Sequence, residues 1–321
     1  WTIMGIRFHT LITYAHFHGS DLELGLHPEW NTLLDSGGFT NFTTGKEVVT
    51  LDDYIHYLKH NGGKYWNYLA LDRIGDKVTS LSYLAQMRSQ GLRPVPIYQR
   101  GQTTKKELVQ MISKNPLTAI GGISQNLGAK AEQEYLRNVM RVIKTVPNAK
   151  VHLLGVGLRE ANMYNPFSAD SSTWSTIYRY GIMRLWHQGR MVYFQKHRSM
   201  QDSKNYVRPT PENTRILLQY GLTWDDLYDR PAWGDPRSKI SIANARAWIR
   251  CSRALYRKGC RYMFASFPHN ICAIKEAWNY ERASWGWRQK KWYVPELSNQ
   301  EKRRVERQKK ADAQKTTAKK K

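Results

Sequence analysis

Short apolar runs, each closed by an acid, an amide or paired glycines, recur down the first half of this 321-residue chain. Leu33-Leu34 leads into Asp35-Ser36-Gly37-Gly38-Phe39. Tyr68-Leu69-Ala70-Leu71 ends in Asp72, and Pro94-Val95-Pro96-Ile97-Tyr98 ends in Gln99-Arg100-Gly101. Leu117-Thr118-Ala119-Ile120 ends in Gly121-Gly122, Val151-His152-Leu153-Leu154 in Gly155-Val156-Gly157, and Phe167-Ser168-Ala169 in Asp170-Ser171-Ser172. Runs this short suit buried strands. Between them, 51–59, 80–90, 104–114 and 132–144 carry apolar residues at three- and four-residue spacing, which predicts helices. Thr50, Thr79 and Thr103 or Thr104 are the expected caps.

Buried strands alternating with helices at about 25–35 residues per repeat predict a parallel sheet. Six strands end at the punctuation above, and two more are expected within 3–13 and 261–267. Eight close an α/β (β/α)8 barrel, a fold that carries its chemistry at the carboxyl ends of the strands. The runner-up is a doubly wound open sheet, but the chain lacks the GxGxxG turn that a dinucleotide-binding version requires. The expected organisation is a single barrel over 1–300 with an insertion near 173–235, then a basic tail over 301–321. Residues 207–235, with Pro209, Pro211 and Pro231, read as an insertion or connection, and 241–258 as a long helix.

Taken in order, these strand ends resemble the tRNA-guanine transglycosylase superfamily. The motifs that carry the resemblance are Asp35-Ser36-Gly37-Gly38-Phe39, Leu71-Asp72, Tyr98-Gln99-Arg100-Gly101, Ala119-Ile120-Gly121-Gly122, Leu153-Leu154-Gly155-Val156-Gly157 and Ser168-Ala169-Asp170. They cover roughly residues 33–172. The chain is most similar to the phage and mobile-element branch, the DNA-guanine transglycosylases that insert 7-deazaguanines into DNA. The resemblance implies base exchange through a covalent aspartyl-sugar intermediate, with DNA and a free 7-deazaguanine (preQ0-type) base as partners. It implies Asp170 as nucleophile and Asp35 as the proton-handling group. Phe39 would stack on the base, and Asp72 would accept from its amino and ring N–H edge. Gln99 would donate and accept, and Gly121 and Gly122 would offer backbone N–H groups. Ser36 and Gly155 complete the expected base slot.

The chemistry of the residues is compatible with those roles. Exchange at a glycosidic carbon needs a carboxylate to hold the sugar while one base leaves and another enters. It also needs a second group to move a proton. The alternatives are the same exchange on tRNA, and an inert nucleic-acid-binding barrel.

The chain departs from the tRNA enzymes in two places. Their zinc motif, Cys-x-Cys-x-x-Cys with a distant His, is absent. Cys251, Cys260, Cys272 and His269 together have the right chemistry for a tetrahedral site, but no two cysteines stand at chelate spacing. Buried structural cysteines, no metal and no other cofactor are therefore expected. Three cysteines give no disulfide framework, which fits a reducing cytoplasm, the host's if the chain is phage-encoded. After Asp170, Ser171-Ser172-Thr173-Trp174 replaces the family's proline- and arginine-containing RNA-contacting turn.

Charge supports a polyanion partner. The formal net charge is +24; residues 301–321 hold ten Lys/Arg against three acids, so the body carries about +17 of it. Trp186, Tyr193, Phe194, Trp285, Trp287, Trp292 and Tyr293 are interleaved with Arg and Lys, a composition that suits a stacking groove or snorkelling side chains equally. No apolar run is long enough to span a membrane, and no signal peptide is visible.

Overall fold

The computed structural model describes residues 8–17, 25–101, 104–123, 129–195 and 209–285. The strands are β1 (Phe8–Thr13), β2 (Trp30–Asp35), β3 (Asn67–Tyr68), β4 (Ile97–Tyr98), β5 (Thr118–Ile120), β6 (Val151–Leu153), β7 (Ser168–Ser171), β8 (Ile182–His187), β9 (Arg190–Gln195) and β10 (Arg261–Ser266). The α-helices are α1 (Gly38–Thr44), α2 (Leu51–Asn61), α3 (Lys77–Ser89), α4 (Lys105–Lys114), α5 (Ala129–Ile143), α6 (Leu158–Tyr164), α7 (Thr176–Tyr180), α8 (Pro211–Gln219), α9 (Lys239–Arg257) and α10 (Ile271–Trp285). Among the described residues no helix is long and apolar enough to cross a membrane.

Eight strands form one parallel sheet in the order β3-β2-β1-β10-β7-β6-β5-β4. Its two ends meet. Leu69 pairs in parallel with Val95, Val95 N–H donates to Tyr68 at 2.9 Å, and Ala70 N–H donates to Val95 at 2.9 Å. The sheet is thus an α/β barrel of the (β/α)8 type, with no open edge to protect.

Strand periodicity explains what fills the barrel. Alternate residues face opposite sides. Leu11, Leu33, Leu69, Val95, Leu117, Ala119 and Met263, drawn from strands around the ring, form one buried cluster in the interior. Their neighbours turn outward: Ile12 and Leu34 join Tyr54, Leu58, Leu71 and Met87 in a second cluster between sheet and helices. At roughly 25 cal/mol per Å² of apolar area buried, these two layers supply the main driving force for closing the ring.

Capping follows the sequence with one correction. Thr50 accepts from Asp53 N–H, and Thr104 forms a capping box with Glu107. Thr79 is not a cap. Asp76 begins α3, and Thr79 N–H donates to it. Both residue types cap helices, and the acid stands first along the chain.

The chain divides into two compact units. The first runs to Thr173 and regains Ser252–Pro268; it holds all eight barrel strands. The second comprises Trp174–Cys251 and continues from His269. It contains the antiparallel hairpin β8–β9, and its core includes Met183, Leu185, Phe194, Ile216, Leu217, Trp224 and Trp233. Of the segment read as an insertion or connection over 207–235, the described part from 209 onward is folded into this core. It forms α8 and two 3₁₀ turns, Asp226–Tyr228 and Pro231–Trp233. Pro211 and Pro231 start helical turns, where a missing N–H costs nothing.

The same core settles part of the aromatic series. Phe194 is buried in it and Trp186 packs against it. Tyr193 is exposed, with the Arg184 guanidinium 5.2 Å from its ring centroid. The Trp285 side chain, Trp287, Trp292, Tyr293 and the basic tail lie outside the described residues.

Candidate active site

The interior alternation carries straight into the barrel mouth. Two residues beyond Leu11, Leu33, Ile97 and Ala119 on their strands stand Thr13, Asp35, Gln99 and Gly121, and all four line one cavity of about 470 Å³. Asp170 and Ala265, at the ends of β7 and β10, line it too, as do Phe39, Asp72, Gly122, Leu154 and Gly155. This size falls within the range of about 300–1,000 Å³ usual for ligand sites. Every expected site residue except Ser36 is on its wall. Ser36 follows Asp35 and so faces away. It is fully buried, and its hydroxyl accepts from Gly38 N–H at 3.4 Å.

The two glycines after Ser36 are required by geometry. Gly37 has φ 95°, a left-handed conformation that side chains rarely adopt, and it starts α1. A Cβ on Gly38 would collide with the Asp72 carboxylate. The turn thus brings the β2 end against Asp72 and sets Phe39, 53% exposed, on the cavity rim.

Three carboxylates share this mouth. Burial, and then the charge of Asp170, push Asp35 up to about 6, against hydrogen bonds from Thr13 and Gly37 that pull it down. Burial, and then Asp35, push Asp72 up to about 7, opposed by the Gln99 amide, whose Nε2 donates to Asp72 Oδ2. Perturbation of this kind, in a cavity at the carboxyl end of a barrel, is how active sites hold groups near neutrality.

Three features were not legible from the chain. His152, read only as part of an apolar strand, is fully buried between two neighbours on β7. Its Nδ1 lies 3.0 Å from Ser168 Oγ and its Nε2 3.2 Å from Asp170 Oδ1. The Gly155 N–H donates to the same Oδ1 at 3.0 Å, so this glycine holds Asp170 as well as lining the slot. Lastly, Gly121 cannot offer the expected donor. Its N–H continues the ladder to Tyr98 at 2.8 Å, and its carbonyl accepts from the Tyr135 hydroxyl at 2.9 Å. Of the glycine pair, Gly122 is left to supply a backbone N–H.

Cys251 and Cys260 are buried, and burial pushes the Cys260 thiol up to about 12. Among the described residues no three His, Cys, Asp or Glu side chains gather as metal ligands. No family model matches this chain, and no curated protein matches it.

Proposed function

We propose that this protein is a DNA-guanine transglycosylase that exchanges guanine in DNA for a 7-deazaguanine base. The observation that carries the reading is the convergence of Asp35, Asp72 and Asp170 on one barrel-mouth cavity rimmed by an exposed aromatic. A flat polar base needs acceptors on its edge and an apolar face, and Asp72, Gln99, Phe39 and Leu154 supply those types.

The exchange balances with two carboxyl groups. The Asp170 carboxylate attacks C1′ of a target nucleotide drawn out of the stack. The C1′–N9 bond breaks, its electron pair leaves on guanine, and protonated Asp35 gives that ring a proton. The 7-deazaguanine then enters and passes its ring N–H proton back to Asp35. Its nitrogen attacks C1′, the bond from C1′ to the Asp170 oxygen breaks, and the carboxylate is restored. A group held near pH 6, as Asp35 is, can carry a proton in both directions close to neutrality.

Support for a polymer comes from beside the cavity. A second hollow of about 410 Å³ shares Asp72 and Ile74 with it and is lined by Lys46, Arg73, Phe42 and one further acid, Glu47. Two cations and an aromatic suit a backbone phosphate and a neighbouring base. The same exchange on tRNA is the second reading. The sequence Ser171-Ser172-Thr173 after Asp170, in place of the RNA-contacting turn, favours DNA.

The test is a covalent trap. Wild-type protein incubated with guanine-containing DNA and no free base should give a band on a denaturing gel that carries both protein and DNA. Asp170→Asn should give none, and its exchange rate should fall on the order of 10⁴-fold or more. An adduct of equal yield in the variant would remove Asp170 from the role.

A further inference from the structure

The Asp170 carboxylate is held asymmetrically. Oδ1 meets two groups, the Gly155 N–H at 3.0 Å and His152 Nε2 at 3.2 Å. Oδ2 accepts no hydrogen bond from the described residues, and Asp170 borders the cavity. The two anchors differ in kind. Gly155 is a backbone donor just beyond β6. His152 is a fully buried side chain on β6 itself, in register with Ser168 on β7.

An ionised carboxylate only accepts, so the nitrogen facing it must carry the proton. Nε2–H therefore donates to Oδ1. The other nitrogen, Nδ1, faces the Ser168 hydroxyl at 3.0 Å, which can turn its proton toward a neutral ring. The chain of donors runs from hydroxyl to imidazole to carboxylate. A second group behind a ring commonly fixes both its tautomer and its orientation.

We infer that His152 is a positioning residue that pins Asp170 Oδ1 and presents Oδ2 as the attacking atom. The inference rests on the transglycosylase reading for its kinetic consequences. Oδ2 forms the bond to C1′, and Oδ1 becomes the carbonyl oxygen of the aspartyl-sugar ester. When the incoming base attacks, the C1′–Oδ2 bond breaks and its electron pair returns to the carboxylate. Negative charge reappears partly on Oδ1, where the Nε2–H and Gly155 N–H already point. Donors fixed in advance at developing charge lower a barrier without reorganisation. His152 thus acts chiefly on expulsion of the Asp170 carboxylate in the second step.

The experiment compares His152→Leu, which removes the donor, with His152→Gln, whose amide N–H can reach the place of Nε2. Exchange of labelled base into DNA should fall about ten- to a hundredfold in kcat for His152→Leu, the scale of one hydrogen bond to a charged group. KM for the free base should be unchanged. The trapped protein–DNA adduct should persist longer on addition of free base, and His152→Gln should recover most of the rate. Equal loss in both variants, or wild-type kcat in His152→Leu, would overturn the inference.

A second measurement does not depend on the reaction. Nitrogen NMR of ¹⁵N-histidine protein should show His152 protonated at Nε2, with a signal that shifts in Asp170→Asn. Protonation at Nδ1 alone would overturn the positioning role. Absence of any exchange by wild-type protein, with the expected nitrogen spectrum, would instead reject the transglycosylase reading and leave the anchored carboxylate standing.

Discussion

Asp72 is the residue whose energetics most clearly separate function from stability. Its pKa is raised from an ordinary carboxylate value to about 7, so its ionisation costs more in the folded chain than in the unfolded one. The stabilising contribution of its protonated form is complete below about pH 4 and is lost as pH rises toward 7. Asp35 behaves alike up to about pH 6. Asp72→Asn should therefore raise stability at pH 8 by about 1–3 kcal/mol and leave it nearly unchanged at pH 4, read from urea unfolding at the two pH values. An equal effect at both would show that the carboxylate is not held out of water. The same substitution should weaken use of the free base by roughly ten- to a hundredfold while sparing affinity for DNA. Asp35 was legible in the sequence because it closes the apolar run Leu33-Leu34 and opens a Ser-Gly-Gly turn. His152 was not, because a histidine in an apolar strand has the pattern of an ordinary core residue. Its partners, Ser168 and Asp170, are set by strand register, and no local signal in the chain encodes that pairing.

At the scale of elements, the turn from β2 into α1 joins fold to chemistry. Gly38→Ala should force both the Asp72 carboxylate and the Asp72 backbone carbonyl to move, because the added carbon would overlap each of them. The expected outcome is a raised KM for the free base together with a lowered unfolding midpoint, since backbone as well as side chain must shift. An unaltered KM would mean that Asp72 does not define the base slot. Barrel strands and their helices were readable one at a time, since each βα step is local and its apolar period is distinct. One expectation fails through competition between two capping signals. Thr79 has the residue type of a cap, but the true cap, Asp76, lies three residues earlier. The stretch 207–235 has the composition of an insertion or connection, and its prolines mask Ile216, Leu217, Leu222 and Trp224, which are all core.

For the whole molecule, the eightfold count was visible in the chain but the division into two units was not. The second unit is assembled from residues on both sides of the last barrel strand, and no local pattern marks such a pairing. Net charge acts at this scale as well. A chain at +24 should bind DNA and RNA alike, with affinity falling steeply as salt rises. A salt-independent affinity would contradict a phosphate-driven association, but binding of either polymer does not reveal the substrate.

Incorporation does, because it requires a target sugar to reach Asp170. The direct measurement supplies the pure protein with labelled guanine or 7-deazaguanine, together with DNA or tRNA at matched salt. Label should enter DNA, in at least one of its single- or double-stranded forms, and should stay out of tRNA. Label entering tRNA and no form of DNA would contradict the assignment to DNA, and label entering neither would contradict the transglycosylase itself.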